Sequence, residues 1–128
     1  MIGAREHRRL DDNERVGYLL SEGELVVPLT LIGTPIAGPM DAESAAALLD
    51  ERGLATLNER WWCRLPTPVT AGLDVSEPQP EWAWRAVLII EASPEWCTIR
   101  IENATVDEFM TRLNLPVPVG DLLVRHQP

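Results

Sequence analysis

From Trp82 to Ile101 apolar residues recur at every second position: Trp82, Trp84, Ala86, Leu88, Ile90 and Ala92 form one set, and Cys97, Ile99 and Ile101 another. A period of two marks strands with one buried face. Ser93-Pro94-Glu95-Trp96 separates the runs, with proline at the second position of a type I turn, which predicts a hairpin closed by a four-residue loop. Setting Ala92 opposite Cys97, Ile90 opposite Ile99 and Leu88 opposite Ile101 puts both apolar sets on one side, as a half-buried hairpin requires. That register places Ile90 in the core.

Other segments carry weaker patterns. Leu25, Val27, Leu29 and Leu31 alternate with Val26, Pro28, Thr30 and Ile32, a strand pattern in which Pro28 cannot donate to a ladder and so demands an edge or a bulge. Leu57 to Leu65 reads as a strand with Trp61, Cys63 and Leu65 on one face and Arg60, Trp62 and Arg64 on the other. Asp41 is a good N-cap for a helix that buries Ala45, Leu48 and Leu49, runs to about Arg52 and stops at Gly53. Thr105-Val106-Asp107-Glu108 matches a capping box and predicts a second helix to about Leu113, with Phe109, Met110 and Leu113 inward. Val16, Leu19 and Leu20 permit a third, short helix from Asp11, weakened by Gly17.

Residues 1–10 are charged and aperiodic, and predict a flexible N-terminus. Prolines 66, 68, 78 and 80 bound a long irregular loop at 66–80, with room for a short strand at Val69 to Leu73, and the tail offers an edge strand at Leu122 to Arg125. The element order implies one α+β domain over residues 11–128, a mainly antiparallel sheet with two or three helices. An open β-roll or partly closed barrel is the alternative.

Length and charge narrow the classes. A chain of 128 residues that is 45% hydrophobic suits a single core. The formal charge is −9, and residues 1–20 hold four arginines against four acids, so the excess lies from Ser21 onward. Such a surface repels phosphate backbones and anionic lipid, which argues against nucleic-acid and membrane partners and leaves protein partners open. All eleven cations are arginine; with abundant Ala, Gly and Pro, this resembles a GC-rich bacterial coding sequence. The N-terminus has basic residues but no apolar stretch behind them, so the expected compartment is the cytoplasm, with Cys63 and Cys97 as reduced thiols.

Candidate chemistry is sparse. His7 and His126 lie at opposite ends, there is no lysine, and no phosphate-cradling or nucleophile-elbow motif occurs, so the residues imply neither a cofactor nor a metal nor nucleophilic catalysis. Asp41, Asp107 and Glu108 are explained as first-turn helix acids, and Glu91 and Glu102 as solvated positions. The distinctive feature is five tryptophans in three clusters, Trp61-Trp62, Trp82 with Trp84, and Trp96, against one tyrosine and one phenylalanine. Arg60, Trp62 and Arg64 on one strand face would set an indole between two guanidiniums, a geometry for gripping a carboxylate or an aromatic group. Trp96 joins them as a contact residue, since Trp and Arg dominate interface hot spots. The expected function is a non-enzymatic protein-binding or assembly module, binding a partner or its own copy. The alternative is a small ligand-binding protein or histidine-independent enzyme, which requires a Trp-lined pocket with converging carboxylates.

Overall fold

A computed structural model describes residues 3–128. The chain divides into two compact units, Met1–Leu57 and Asn58–Pro128, each built on its own antiparallel sheet. The class is α+β, as the pattern predicts, but the described residues form one α-helix rather than two or three.

The first unit contains strands β1 (Ala4–Arg8), β2 (Arg15–Glu22) and β3 (Leu25–Leu29), in the order β1-β2-β3, and helix α1 (Ala42–Leu57) against β2 and β3. Two expectations fail here. Ala4–Arg8 falls in the stretch expected to be flexible, yet it pairs with β2 from Ala4 opposite Leu20 to Arg8 opposite Arg15. It is an edge strand exposed along much of its length, so no apolar alternation betrays it, and its charges discourage further pairing. Val16, Leu19 and Leu20 belong to β2, not to a helix, because pairing on both sides outweighs a spacing that suits either state. Pro28 does sit on an edge strand, and β3 ends at Leu29.

Helix α1 opens as expected, with the Asp41 Oδ1 accepting the Ser44 N–H at 2.8 Å. It then passes through Gly53 and continues to Leu57. Gly53 is buried, and a Cβ there would fall inside the Val16 carbonyl oxygen, so this glycine is a contact surface for β2 rather than a stop. Gly17 answers it from the strand: a Cβ there would collide with the Leu29 carbonyl oxygen and the Leu49 side chain. Val16, Leu19, Val26, Ala45 and Leu49 form the core that results.

The second unit has five strands, β4 (Trp61–Leu65), β5 (Ala83–Ala92), β6 (Trp96–Ile101), β7 (Leu113–Pro116) and β8 (Leu123–Val124), in the order β7-β6-β5-β4-β8. The expected strand from Leu57 begins only at Trp61, because α1 claims Leu57. Its two faces are as expected, with Trp61, Cys63 and Leu65 buried and Trp62 and Arg64 only partly so. Loop 66–82 is irregular and the strand proposed at Val69 to Leu73 does not form; instead Val69 and Val75 are buried. The tail supplies the edge strand β8.

The hairpin forms, but its register is only half that expected. Ala92 pairs with Cys97 and Glu91 with Thr98, then a bulge at Ile90 shifts the ladder so that Ile89 faces Ile99, Leu88 faces Arg100 and Val87 faces Ile101. A bulge inserts one residue and reverses the in-and-out parity beyond it. The buried face of β5 is therefore that of Val87 and Arg85, while Ile90, expected in the core, is 45% exposed. The second expected helix is absent: residues 102–112 form turns, and Phe109 and Met110 point outward.

Candidate functional site

The parity switch determines what the sheet of the second unit displays. Cross-strand partners share a face, so the pairs Trp62 with Ala86, Arg64 with Trp84, Leu88 with Arg100 and Trp62 with Val124 lie together on the side opposite the buried Trp61, Cys63 and Leu65. On β6 the same side carries Thr98 and Trp96. Three of the five tryptophans thus share one face of the sheet, and only Trp61 is fully buried.

Of the expected contact residues, Arg60, Trp62 and Arg64 come together at one end of this face, but not as an open clamp. The Arg60 guanidinium is bidentate to Glu102, with Nη2 to Oε1 at 2.8 Å and Nε to Oε2, and this pairing lowers the Glu102 pKa. Arg64 Nη2 donates to the Gln79 carbonyl at 2.9 Å, fastening the end of loop 66–82 to β4. Both guanidiniums are thus engaged within the chain, and Trp62 is half-buried between them. Trp84, which the alternating pattern assigned to the core, is the cross-strand neighbour of Arg64.

Trp96 lies at the other end. Six residues of the unbulged strand run separate the Trp62 level, at Ala86 and Glu102, from Trp96, about 20 Å at the rise of a strand. Trp96 is 54% exposed and is fixed by the turn before it, where the Ser93 Oγ accepts the Trp96 N–H at 3.0 Å and the Ser93 N–H donates to the Trp96 carbonyl at 2.8 Å. Ile90, released by the bulge, adds a second exposed apolar group on the hairpin. Leu88, Thr98 and Arg100 span the interval. Sequence reading missed Ile90 and Trp84 because both fitted an unbroken alternation, and no residue type in that run announces a bulge.

The alternative needs a cavity where tryptophans meet acids. A cleft of about 330 Å³ does gather acids, but in the first unit, lined by Arg9, Leu10, Asp11, Ala47, Asp50 and Glu51, with no tryptophan. His7 is held in β1 with Nε2 2.8 Å from the Asp50 Oδ1. Among the described residues, no group of three or more His, Cys, Asp or Glu side chains is placed to hold a metal ion. Cys63 and Cys97 are free and buried, and burial pushes both thiols up to about 12, far from nucleophilic form at neutral pH. No helix among the described residues is long and apolar enough to cross a membrane.

Elsewhere in the second unit, an ion pair stands on the buried face. Arg85 Nη1 and Nη2 donate to the Glu108 Oε2 and Oε1 at 2.6 and 2.8 Å, and the carboxylate also accepts the Val69 N–H at 2.7 Å and the Thr105 N–H at 3.0 Å. Glu108 is fully buried, and these donors, Arg85 foremost, hold its carboxyl well below the ordinary carboxylate range. The capping-box reading caught the Glu108-to-Thr105 bond but not its setting, since Arg85 lies far away in sequence. Comparison with protein-family models, with curated proteins and with solved structures finds no match to this chain, so its function is read from these residues alone.

Proposed function

We propose that this chain is a non-enzymatic protein-binding module whose contact surface is the outer sheet face of the second unit, with Trp96 and the neighbouring exposed bulge residue Ile90 at one end and Trp62, Trp84 and Arg64 at the other. The observation that carries this reading is that Trp62, Trp84, Trp96, Arg64 and Arg100, from three neighbouring strands, share one face of the sheet. A strip about 20 Å long is too extended for the enclosed pocket of a small ligand. Trp96 and Ile90 supply the accessible apolar anchors, while Arg60 and Arg64 act as positioning groups that keep the strand ends and loop in place. The partner is another protein or a second copy of this chain.

The reading is tested by comparing wild type with Trp96→Ala and Ile90→Asp variants for self-association by sedimentation and for capture of proteins from extracts of the native cell. Species present with wild type and lost with both variants, at unchanged thermal stability, are expected. Identical capture by all three proteins overturns the assignment of this face.

A further inference from the structure

Residues 102–112 connect β6 to β7 without regular structure, yet the segment is tied down at its middle. Glu108 reaches inward to Arg85, the Val69 N–H and the Thr105 N–H, while the Glu108 N–H donates to the Thr105 carbonyl at 3.0 Å and the Thr111 N–H to the Glu108 carbonyl at 2.8 Å. With the one acid drawn in, its apolar neighbours turn out: Val106 is 90%, Phe109 63% and Met110 72% exposed. A connecting loop needs no such display, and contiguous exposed apolar groups on a tethered segment mark a contact surface. The charged groups of the segment are mostly engaged. Glu102 is held by Arg60, Glu108 by Arg85, and Arg112 is directed at the carbonyls of Phe109 and Thr111. Asp107 alone makes no hydrogen bond or ion pair among the described residues, and it stands exposed in the midst of the apolar trio.

We infer that this loop is a second docking surface, independent of the tryptophan face, and that its occupant is a cationic amphipathic segment of another protein. The apolar side of that segment would meet Val106, Phe109 and Met110, and a Lys or Arg would meet Asp107. The net charge of −9 favours a cationic partner through long-range attraction and disfavours a second copy or an anionic lipid surface.

Titration of the intact, ¹⁵N-labelled chain with a helical Leu/Lys amphipathic peptide, and with its Leu/Glu counterpart, tests the inference. Shifts centred on residues 105–112 are expected with the Leu/Lys peptide only. Phe109→Ala or Val106→Ser should weaken that binding by roughly tenfold or more, as for an interface anchor. Asp107→Asn should weaken it by about two- to fivefold, the size of an exposed ion pair, and Trp96→Ala should leave it unchanged. The inference is overturned if both peptides bind alike or if the shifts lie outside the loop. It is equally overturned if the loop responds to the concentration of the protein itself, or to zwitterionic phosphatidylcholine vesicles in place of the peptide.

Discussion

Replacing Glu108 by Gln should be the most costly near-isosteric change in the second unit. The carboxylate is fully buried and accepts from four donors at 2.6, 2.7, 2.8 and 3.0 Å, two of them on Arg85, whose side chain is itself only 14% exposed. An amide keeps the shape but offers one acceptor oxygen and turns its NH2 toward groups that can only donate. Losing two charge-assisted bonds at about 1.5–3 kcal/mol each gives about 3–6 kcal/mol. Breaking a buried ion pair by removing one partner independently suggests about 3–5 kcal/mol. Against a typical total of about 5–15 kcal/mol the variant is crippled but measurable. Urea denaturation of wild type, Glu108→Gln, Arg85→Met and the double variant at pH 7 measures the cycle. The single losses should sum to about 2–3 kcal/mol more than the loss in the double, since the second substitution strands no additional charge. The pH dependence follows the same logic. Because the folded carboxyl lies below its unfolded value, its stabilisation is present above the unfolded pKa of about 4.3 and is lost as pH falls from about 5 toward the folded value. Wild-type stability should therefore fall more steeply below pH 5 than that of Glu108→Gln. A loss below about 1 kcal/mol for the single variant, or strict additivity, would refute the assignment of the pair as a coupled anchor.

Three further outcomes follow from the packing. Gly53→Ala should lower the melting temperature even though alanine favours a helix by about 1 kcal/mol, because its methyl group must displace the Val16 carbonyl at an overpacking cost of about 1–3 kcal/mol or more; a rise in stability would show that β2 and α1 separate freely. Ile90→Ala should cost less than about 1 kcal/mol while Ile99→Ala costs about 2–5 kcal/mol, by chemical denaturation; the reverse order would restore the unbulged register. Cys63 and Cys97 should resist thiol-specific reagents at pH 8 and label at the rate of unfolding, since burial raises both thiols to about 12; rapid labelling of the native protein would place one of them at the surface.

What the chain determines locally is legible without coordinates. The Ser93-Pro94 turn, the two faces of β4, the Asp41 cap and the edge placement enforced by Pro28 each depend on residues within a few positions of one another, so spacing and backbone chemistry suffice to read them. What only the tertiary structure decided depends on partners far apart in sequence. The spacing of Val16, Leu19 and Leu20 suits helix or strand until β1 and β3 claim both edges of β2. Gly53 looks like a helix stop until the Val16 backbone is found against it. Thr105 to Glu108 has the residues of a helix start, but Arg85 and the Val69 N–H capture the Glu108 side chain in the interior and leave Phe109 and Met110 in solvent. The candidate site shows the same division. The richness in Trp and Arg is a property of the sequence, whereas the face on which Trp84 appears and the exposure of Ile90 were set by a single bulged residue, because in a ladder of period two one insertion exchanges core for surface along the strand beyond it.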